Sequence, residues 1–381
     1  MHRKTRHLLL FGCLFGPAFA SGGERWPDLP VAAKQTAGAR VGQFAYAGLG
    51  SAGKAWWGLD LSRSDAQWVP LAEFPDQPRD GASAVAVGGQ VYVFAGQGKA
   101  APTDKTLTMF DSVYRYEPAA NRWSKLPTRM PLGGLAAAAV SLDDREVLFF
   151  GGVNKAIFDG YHQDYFVSAA GDAARQEAVA AAYFDQRPQD YLFAAQVLSY
   201  EPATNQWRNL GLDPGLPTVG AGAAVSGLQV HLISGEIKPG LRSPEVKSVT
   251  LVDGRLRWQS ERLPAPAAGV AQDGVAGAYA GYSGKVLLAA GGTNFPGAWK
   301  QFLAGRNFAH KGLKKVWHDE IYARVDGGWR LVGRLPQAQA HGAYMPTEDG
   351  LLVIGGELQD GAASSAVFEL RWNGQGVDIV P

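Results

Sequence analysis

A run of apolar residues that closes on glycine returns six times along the chain, and no other feature restricts its folding so much. The copies are residues 44–50, Val91-Tyr-Val-Phe-Ala-Gly96, Val147-Leu-Phe-Phe-Gly-Gly152, Val230-His-Leu-Ile-Ser-Gly235, Val286-Leu-Leu-Ala-Ala-Gly-Gly292 and Leu351-Leu-Val-Ile-Gly-Gly356. Their last glycines lie 46, 56, 83, 57 and 64 residues apart. Such a period belongs to units that cannot bury a hydrophobic face alone and stack into one body. A chain of 381 residues therefore need not divide into several domains.

Each glycine is followed by a variable loop and a short alternating strand, such as Val113-Tyr-Arg-Tyr116, Val197-Leu-Ser-Tyr200 or Ile321-Tyr-Ala-Arg324, then by a turn and a Trp. Glu117-Pro-Ala-Ala-Asn-Arg-Trp123 and Glu201-Pro-Ala-Thr-Asn-Gln-Trp207 are near copies, and Trp68, Trp258 and Trp329 hold the same place elsewhere. Ahead of the glycine strands lie stretches of small residues, 81–87, 133–140, 220–225, 274–281 and 341–345, suited to innermost strands where radially packed sheets crowd the axis. Four strands per unit with a glycine pair and a spaced Trp is the kelch pattern, whose period is about 50. The expected fold is all-β, a six-bladed kelch β-propeller. Its turns draw on 49 glycines, and 19% charged residues with 11 Trp argue against disorder. The sixth unit shows no Trp strand at the C-terminal end, whereas Trp26-Pro-Asp-Leu29 has the missing form. An N-terminal strand is thus expected to complete the sixth blade and close the ring, which removes exposed sheet edges.

Residues 1–20 read as a secretory signal, with Arg3, Lys4 and Arg6 before an apolar run and Ala18-Phe19-Ala20 as the cleavage site. The run is too short for a membrane anchor. Cleavage leaves 21–381 as the propeller, takes away the only cysteine, Cys13, and turns a formal charge of +1 into −2. No disulfide is then needed, and no basic block remains for nucleic acid, which demands concentrated Lys and Arg.

Three insertions break the repeat after the second strand of a unit. They are residues 153–195, whose Ala-rich stretch 173–182 has helical propensity, residues 236–245, and residues 293–317. In an up-and-down sheet these links, and those between blades, emerge on one face, and loops on a rigid scaffold are the usual seat of chemistry. Glu236 directly follows a strand-ending glycine near the axis, where a carboxylate can serve as proton acceptor. Gly355-Gly-Glu357 repeats its Gly-Glu step, so the distinguishing signal is the continuation Lys238-Pro-Gly-Leu-Arg242, able to fold back and bring a guanidinium to the same cup. Arg242 would hold an anion, since a guanidinium stays charged and binds carboxylates in a bidentate fork. The plain alternative is a surface turn. Arg79 is either a second anion contact or a structural residue between blades. Asn154 and Asn294 could bind sugar hydroxyls or cap turns. In 305–315, Asn307 and His310 are interleaved with Phe308, and His310 could donate to a ligand oxygen or be structural.

Several chemistries lack their residues. No mature cysteine remains for a thioether-linked copper site, histidines are too scattered for zinc, and the glycines end strands rather than open phosphate-binding helices. No metal or cofactor is expected. The sialidase box Ser-x-Asp-x-Gly-x-x-Trp is absent.

Five segments together resemble the periplasmic N-acetylneuraminate epimerases, or sialic acid mutarotases, of Gram-negative bacteria. They are Gly48-Leu-Gly-Ser-Ala-Gly-Lys-Ala-Trp56, Gly151-Gly-Val-Asn-Lys-Ala-Ile-Phe-Asp-Gly-Tyr161, Tyr183-Phe-Asp with Asp190-Tyr-Leu-Phe193, Gly235-Glu-Ile-Lys-Pro-Gly-Leu-Arg242 and Asn307-Phe-Ala-His-Lys-Gly-Leu-Lys-Lys315. The resemblance implies interconversion of the α and β anomers of free sialic acid, a periplasmic location and a homodimer. It also implies a catalytic Glu and Arg at Glu236 and Arg242; Arg79, Asn154, Asn307 and His310 are the candidate substrate contacts from the residues themselves. Residues 161–165 and 295–302 depart from the family's pattern, which bears on the sialic acid derivative that fits. The competing reading is a non-catalytic exported kelch module that binds a glycan or a protein.

Overall fold

The computed structural model describes residues 26–381, so the expected signal and Cys13 lie outside the described residues. Six antiparallel sheets follow one another in chain order, five of them four-stranded and the last five-stranded, with the first strand at the axis. Blade four is typical: Gly222–Ser226, Gln229–Ile233, Glu245–Val252 and Arg255–Arg262, paired in that order. The innermost strands are small-residue strands for a steric reason. A Cβ on Gly38 would stand 2.8 Å from that of Ala343, and one on Gly281 2.6 Å from Leu351.

Hydrophobic cores lie between neighbouring blades. Between blades one and two, Tyr46, Trp56, Phe74, Tyr114, Tyr116 and Trp123 form one aromatic cluster, with Trp123 5.0 Å from Tyr116 and 5.3 Å from Trp56 between ring centroids. In four blades the spaced Trp also ties the blade to the chain before it. Trp68 donates to Pro27 O, Trp123 to Ala72 O, Trp207 to Thr128 Oγ1 and Trp329 to Glu261 Oε1, at 2.8 to 2.9 Å.

Closure at the axis uses the backbone. Gln35, Gly81, Ala136, Gly220, Gly277 and His341, one from each blade in turn, all hold positive φ between 52° and 72°. Each donates its N–H to the carbonyl of the preceding member, and Gln35 donates to His341 O at 2.7 Å, so six hydrogen bonds make a continuous girdle. The left-handed conformation turns both polar groups of each residue toward its neighbours, and glycine adopts it without steric cost at three of the six sites.

The sixth blade corrects one expectation. Its outer strand is Val377–Val380, paired with Ala363–Trp372, and is not supplied by the N-terminus. Its Trp, Trp372, ends the preceding strand, which hid the fourth strand from a pattern search. The N-terminal segment continues that edge: Trp26 N donates to Pro381 O, Leu29 N to Ser365 O and Ala33 N to Ser364 O, at 2.8 to 2.9 Å. Both ends thus share the blade, end to end along one rim.

Two of the three insertions contain helices. Residues 153–195 contain α1 (Lys155–Gln163), a π-helical turn (Asp164–Ser168) and α2 (Ala173–Phe184), and the fifth-blade insertion contains α3 (Ala298–Leu303). The Ala-rich stretch forms the expected helix, α2, while α1 and α3 were not foreseen.

Candidate functional site

Blade four carries the site on a two-stranded hairpin at its mouth. Ser234 and Gly235 both take positive φ, which turns the chain off the blade strand so that Glu236 pairs back to Val219 near the girdle. Glu236–Lys238 then pairs with Leu241–Arg242 around Pro239 and Gly240, putting Glu236 opposite Arg242. Six positions apart in sequence, the two side chains meet at 2.8 Å, Glu236 Oε1 to Arg242 Nη2. Gly240 N donates to the same carboxylate oxygen at 3.2 Å.

The pair is unequal in exposure: the Glu236 side chain is 22% exposed and that of Arg242 only 6%. The guanidinium lies 4.8 Å from the Phe295 ring centroid. Its Nε and Nη1 are buried without a hydrogen-bond partner among the described residues. Leaving charged donors unpaired is costly, and burial accordingly pulls the Arg242 pKa below its ordinary value against the opposing charge of Glu236. Partly paired and nearly enclosed, the group is set up to take an anionic acceptor.

His310 closes one side. Its ring centroid lies 5.0 Å from those of Phe184, Phe295 and Phe308, and it rests on Gly240, where a Cβ would come within 1.8 Å of Nδ1. Burial, helped by the charges of Arg242 and Lys238, pushes its pKa down to about 4. The imidazole is therefore neutral above the acid range. Tyr183 stacks on Tyr161 at 4.1 Å and meets Tyr191 edge-on at 5.4 Å. Its hydroxyl is held protonated, its pKa raised by burial and then by the charge of Glu236.

Lys238, in the same hairpin, is fully buried. Its ammonium donates to the carbonyls of Phe184, Gln186 and Asn307 and lies 5.3 Å from the Tyr191 ring centroid. Asn307 thus contributes its backbone oxygen to this knot. The sequence offered Lys238 only as a loop residue, because its acceptors lie more than 50 positions away on either side.

Two of the expected substrate contacts are engaged within the protein. Arg79 has no exposed side-chain surface; its guanidinium is bonded to Asp76 at 2.9 Å, Ala95 O at 3.1 Å and Ser112 Oγ at 3.3 Å and lies 4.6 Å from the Phe74 and Phe110 ring centroids. Aromatic rings and a carboxylate hold it inside the protein, with its Nε lacking a hydrogen-bond partner among the described residues. Asn154 caps α1, its Oδ1 accepting from Ala156 N at 3.0 Å. Asn294 is likewise engaged, donating to Gly274 O at 2.9 Å and meeting His318 Nε2 at 2.8 Å. Glu357, in the sixth blade, has the same place after the strand-ending glycine as Glu236 but is bound by Lys315 and, at 3.8 Å, by Lys34.

With this geometry in view, comparison with known proteins gives a consistent result. The family model described as N-acetylneuraminate epimerase matches residues 26–379. The N-acetylneuraminate epimerase of Yersinia enterocolitica is 46% identical over 352 residues, spanning 92% of this chain and 90% of that protein. That of Brucella melitensis is 44% identical over 361 residues, spanning 93% and 92%. The solved structure of YjhT superposes with a TM-score of 0.87 at 36% identity, over 92% of this chain and 98% of that one.

Proposed function

The chain belongs to the N-acetylneuraminate epimerase family, and from that premise we propose that the Glu236–Arg242 cup interconverts the α and β anomers of free N-acetylneuraminate. The sugar is a cyclic hemiketal bearing a carboxylate on its anomeric carbon. Exchange of anomers requires the anomeric hydroxyl to lose its proton while the bond from the anomeric carbon to the ring oxygen breaks and that oxygen gains a proton. The open-chain ketone then turns and recloses on its other face, reversing each transfer. No electron leaves or enters, and no external reactant is consumed.

In this reading Arg242 receives the sugar's carboxylate on a buried guanidinium and fixes the anomeric carbon beside Glu236. Glu236 takes the hydroxyl proton and returns it, a general base that also serves as the acid in reverse. Positioning lowers the barrier because base and anomeric hydroxyl no longer have to find one another. Neutral His310 and protonated Tyr183 border the cup as polar groups of fixed protonation near pH 7. The observation carrying the proposal is the nearly enclosed guanidinium, with two nitrogens lacking acceptors, directly against a part-exposed carboxylate.

The signal-like residues 1–20 support export, and no helix among the described residues is long and apolar enough to span a membrane. We place the protein's work in the periplasm, acting on sialic acid freed outside the cytoplasm.

One-dimensional proton NMR of freshly dissolved N-acetylneuraminate follows α-to-β equilibration directly. Wild-type protein should accelerate it, and Glu236→Gln should abolish the acceleration while calorimetry still detects sugar binding. An unchanged rate with wild-type protein would instead indicate a binding module.

A further inference from the structure

Three pieces of chain that are distant in sequence converge above the cup. The third-blade insertion arrives at the C-terminal end of α2, the fifth-blade insertion arrives at Asn307 and Phe308, and the fourth-blade hairpin carries Glu236 and Arg242. A single side chain touches all three. Lys238 Nζ donates to Phe184 O at 3.0 Å, and to Gln186 O and Asn307 O. The three hydrogens of an ammonium match three carbonyl acceptors one for one. Asp185 adds a second tie between the two insertions by accepting from Phe308 N at 3.1 Å.

The groups joined at this point form the wall of the cup. Phe184 stacks on Phe308 at 4.9 Å, and both pack against His310, which rests on Gly240 of the hairpin. Tyr183, next to Phe184 in sequence, lies within the field of Glu236. Lys238 is itself two residues from Glu236 on the same strand. Since it is fully buried, it touches neither solvent nor substrate.

We propose that Lys238 is a positioning residue: its ammonium clamps the third-blade and fifth-blade insertions onto the catalytic hairpin and so sets the shape of the cup around the sugar. This rests on the anomer-exchange reading above. A neutral amine has only two hydrogens for three carbonyls, with a lone pair facing the third oxygen, so the clamp depends on protonation. Burial draws the Lys238 pKa down to about 8, with Asp185 opposing. The charged or titratable groups around it are Asp185 and Tyr191 from the third-blade insertion, His310 from the fifth, and Glu236 and Arg242 on its own hairpin. Burial pushes His310 down to about 4 and raises Tyr191, which leaves Lys238 as the source of an alkaline limb.

The test compares wild type with Lys238→Met, which retains a similar stem without donors. Anomer exchange is followed by NMR from pH 6 to pH 10 after subtracting the spontaneous rate, and amide hydrogen exchange is measured over residues 155–193 and 305–315. Wild-type kcat should fall as pH rises through about 8, while exchange in both insertions quickens. K238M should show kcat reduced roughly tenfold to a hundredfold, as expected for a misplaced reacting group, no alkaline limb, and fast exchange confined to the two insertions. Wild-type kcat and protection in K238M, or a flat wild-type profile to pH 10, would overturn the proposal. If K238M does not fold, the wild-type pH profile and exchange decide alone. If wild-type protein does not speed anomer exchange, the functional reading fails, and the hydrogen exchange of K238M still decides whether Lys238 is the clamp.

Discussion

At Arg242 and His310 the same burial has opposite uses. Arg242 remains charged because no accessible pH removes its proton, and two of its nitrogens are buried without a hydrogen-bond partner among the described residues. His310 gives up its charge instead, and the linkage follows in sign. With a folded-state pKa of about 4 against about 6.5 unfolded, the unfolded chain binds more protons between those values, so stability from this group is complete above pH 6.5 and is lost as pH falls toward 4. His310→Phe should therefore show a smaller fall in melting temperature between pH 6.5 and 4 than wild type, measured by calorimetry. His341, also lowered to about 4, retains part of the slope. From sequence, Glu236 and Arg242 could be singled out because both lie in one short loop. The histidine's state could not be, since it depends on Phe184 and Phe295 reached only through the fold.

The hairpin 236–242 works as an element because of its turn. Gly240 has φ +82°, and its α-carbon is covered by His310. Gly240→Ala combines a left-handed strain of roughly 1–2 kcal/mol with a side chain that must push the imidazole away. It should lower both stability and anomer-exchange activity, the second more strongly, read from melts and NMR rates on the same preparation. The Pro239-Gly240 signal made the turn legible, whereas its contact 70 residues onward was not. The insertions show the same division. α2 was visible because a run of alanines has intrinsic propensity. α1, with Gly160 and three aromatic residues in or beside one turn of it, relies on Asn154 as its cap and on Lys155, which pairs with Asp159 and reaches Met109 O. Only the last of those contacts is tertiary, and a single-sequence reading of Asn154 could not choose between cap and ligand.

For the whole molecule the six-unit period was enough to specify the architecture, because a glycine-terminated strand repeated six times has few other ways to bury its faces. It was not enough to specify how the ends meet, since the final Trp is displaced from its usual strand. Deleting residues 26–33 should leave Trp68 without its Pro27 acceptor and uncover the rim along Ala363–Trp372. The expected result is a lower melting temperature and concentration-dependent association by light scattering, as an unpaired sheet edge invites. A variant equal to wild type in both would separate ring integrity from the N-terminal segment. The axial girdle carries an electrical consequence of its own. Its six amide bonds run tangentially from blade to blade, so their dipoles circulate and cancel instead of summing along the tunnel as they do in a helix. The girdle itself therefore adds no net dipole along the axis to the potential that an approaching anion meets.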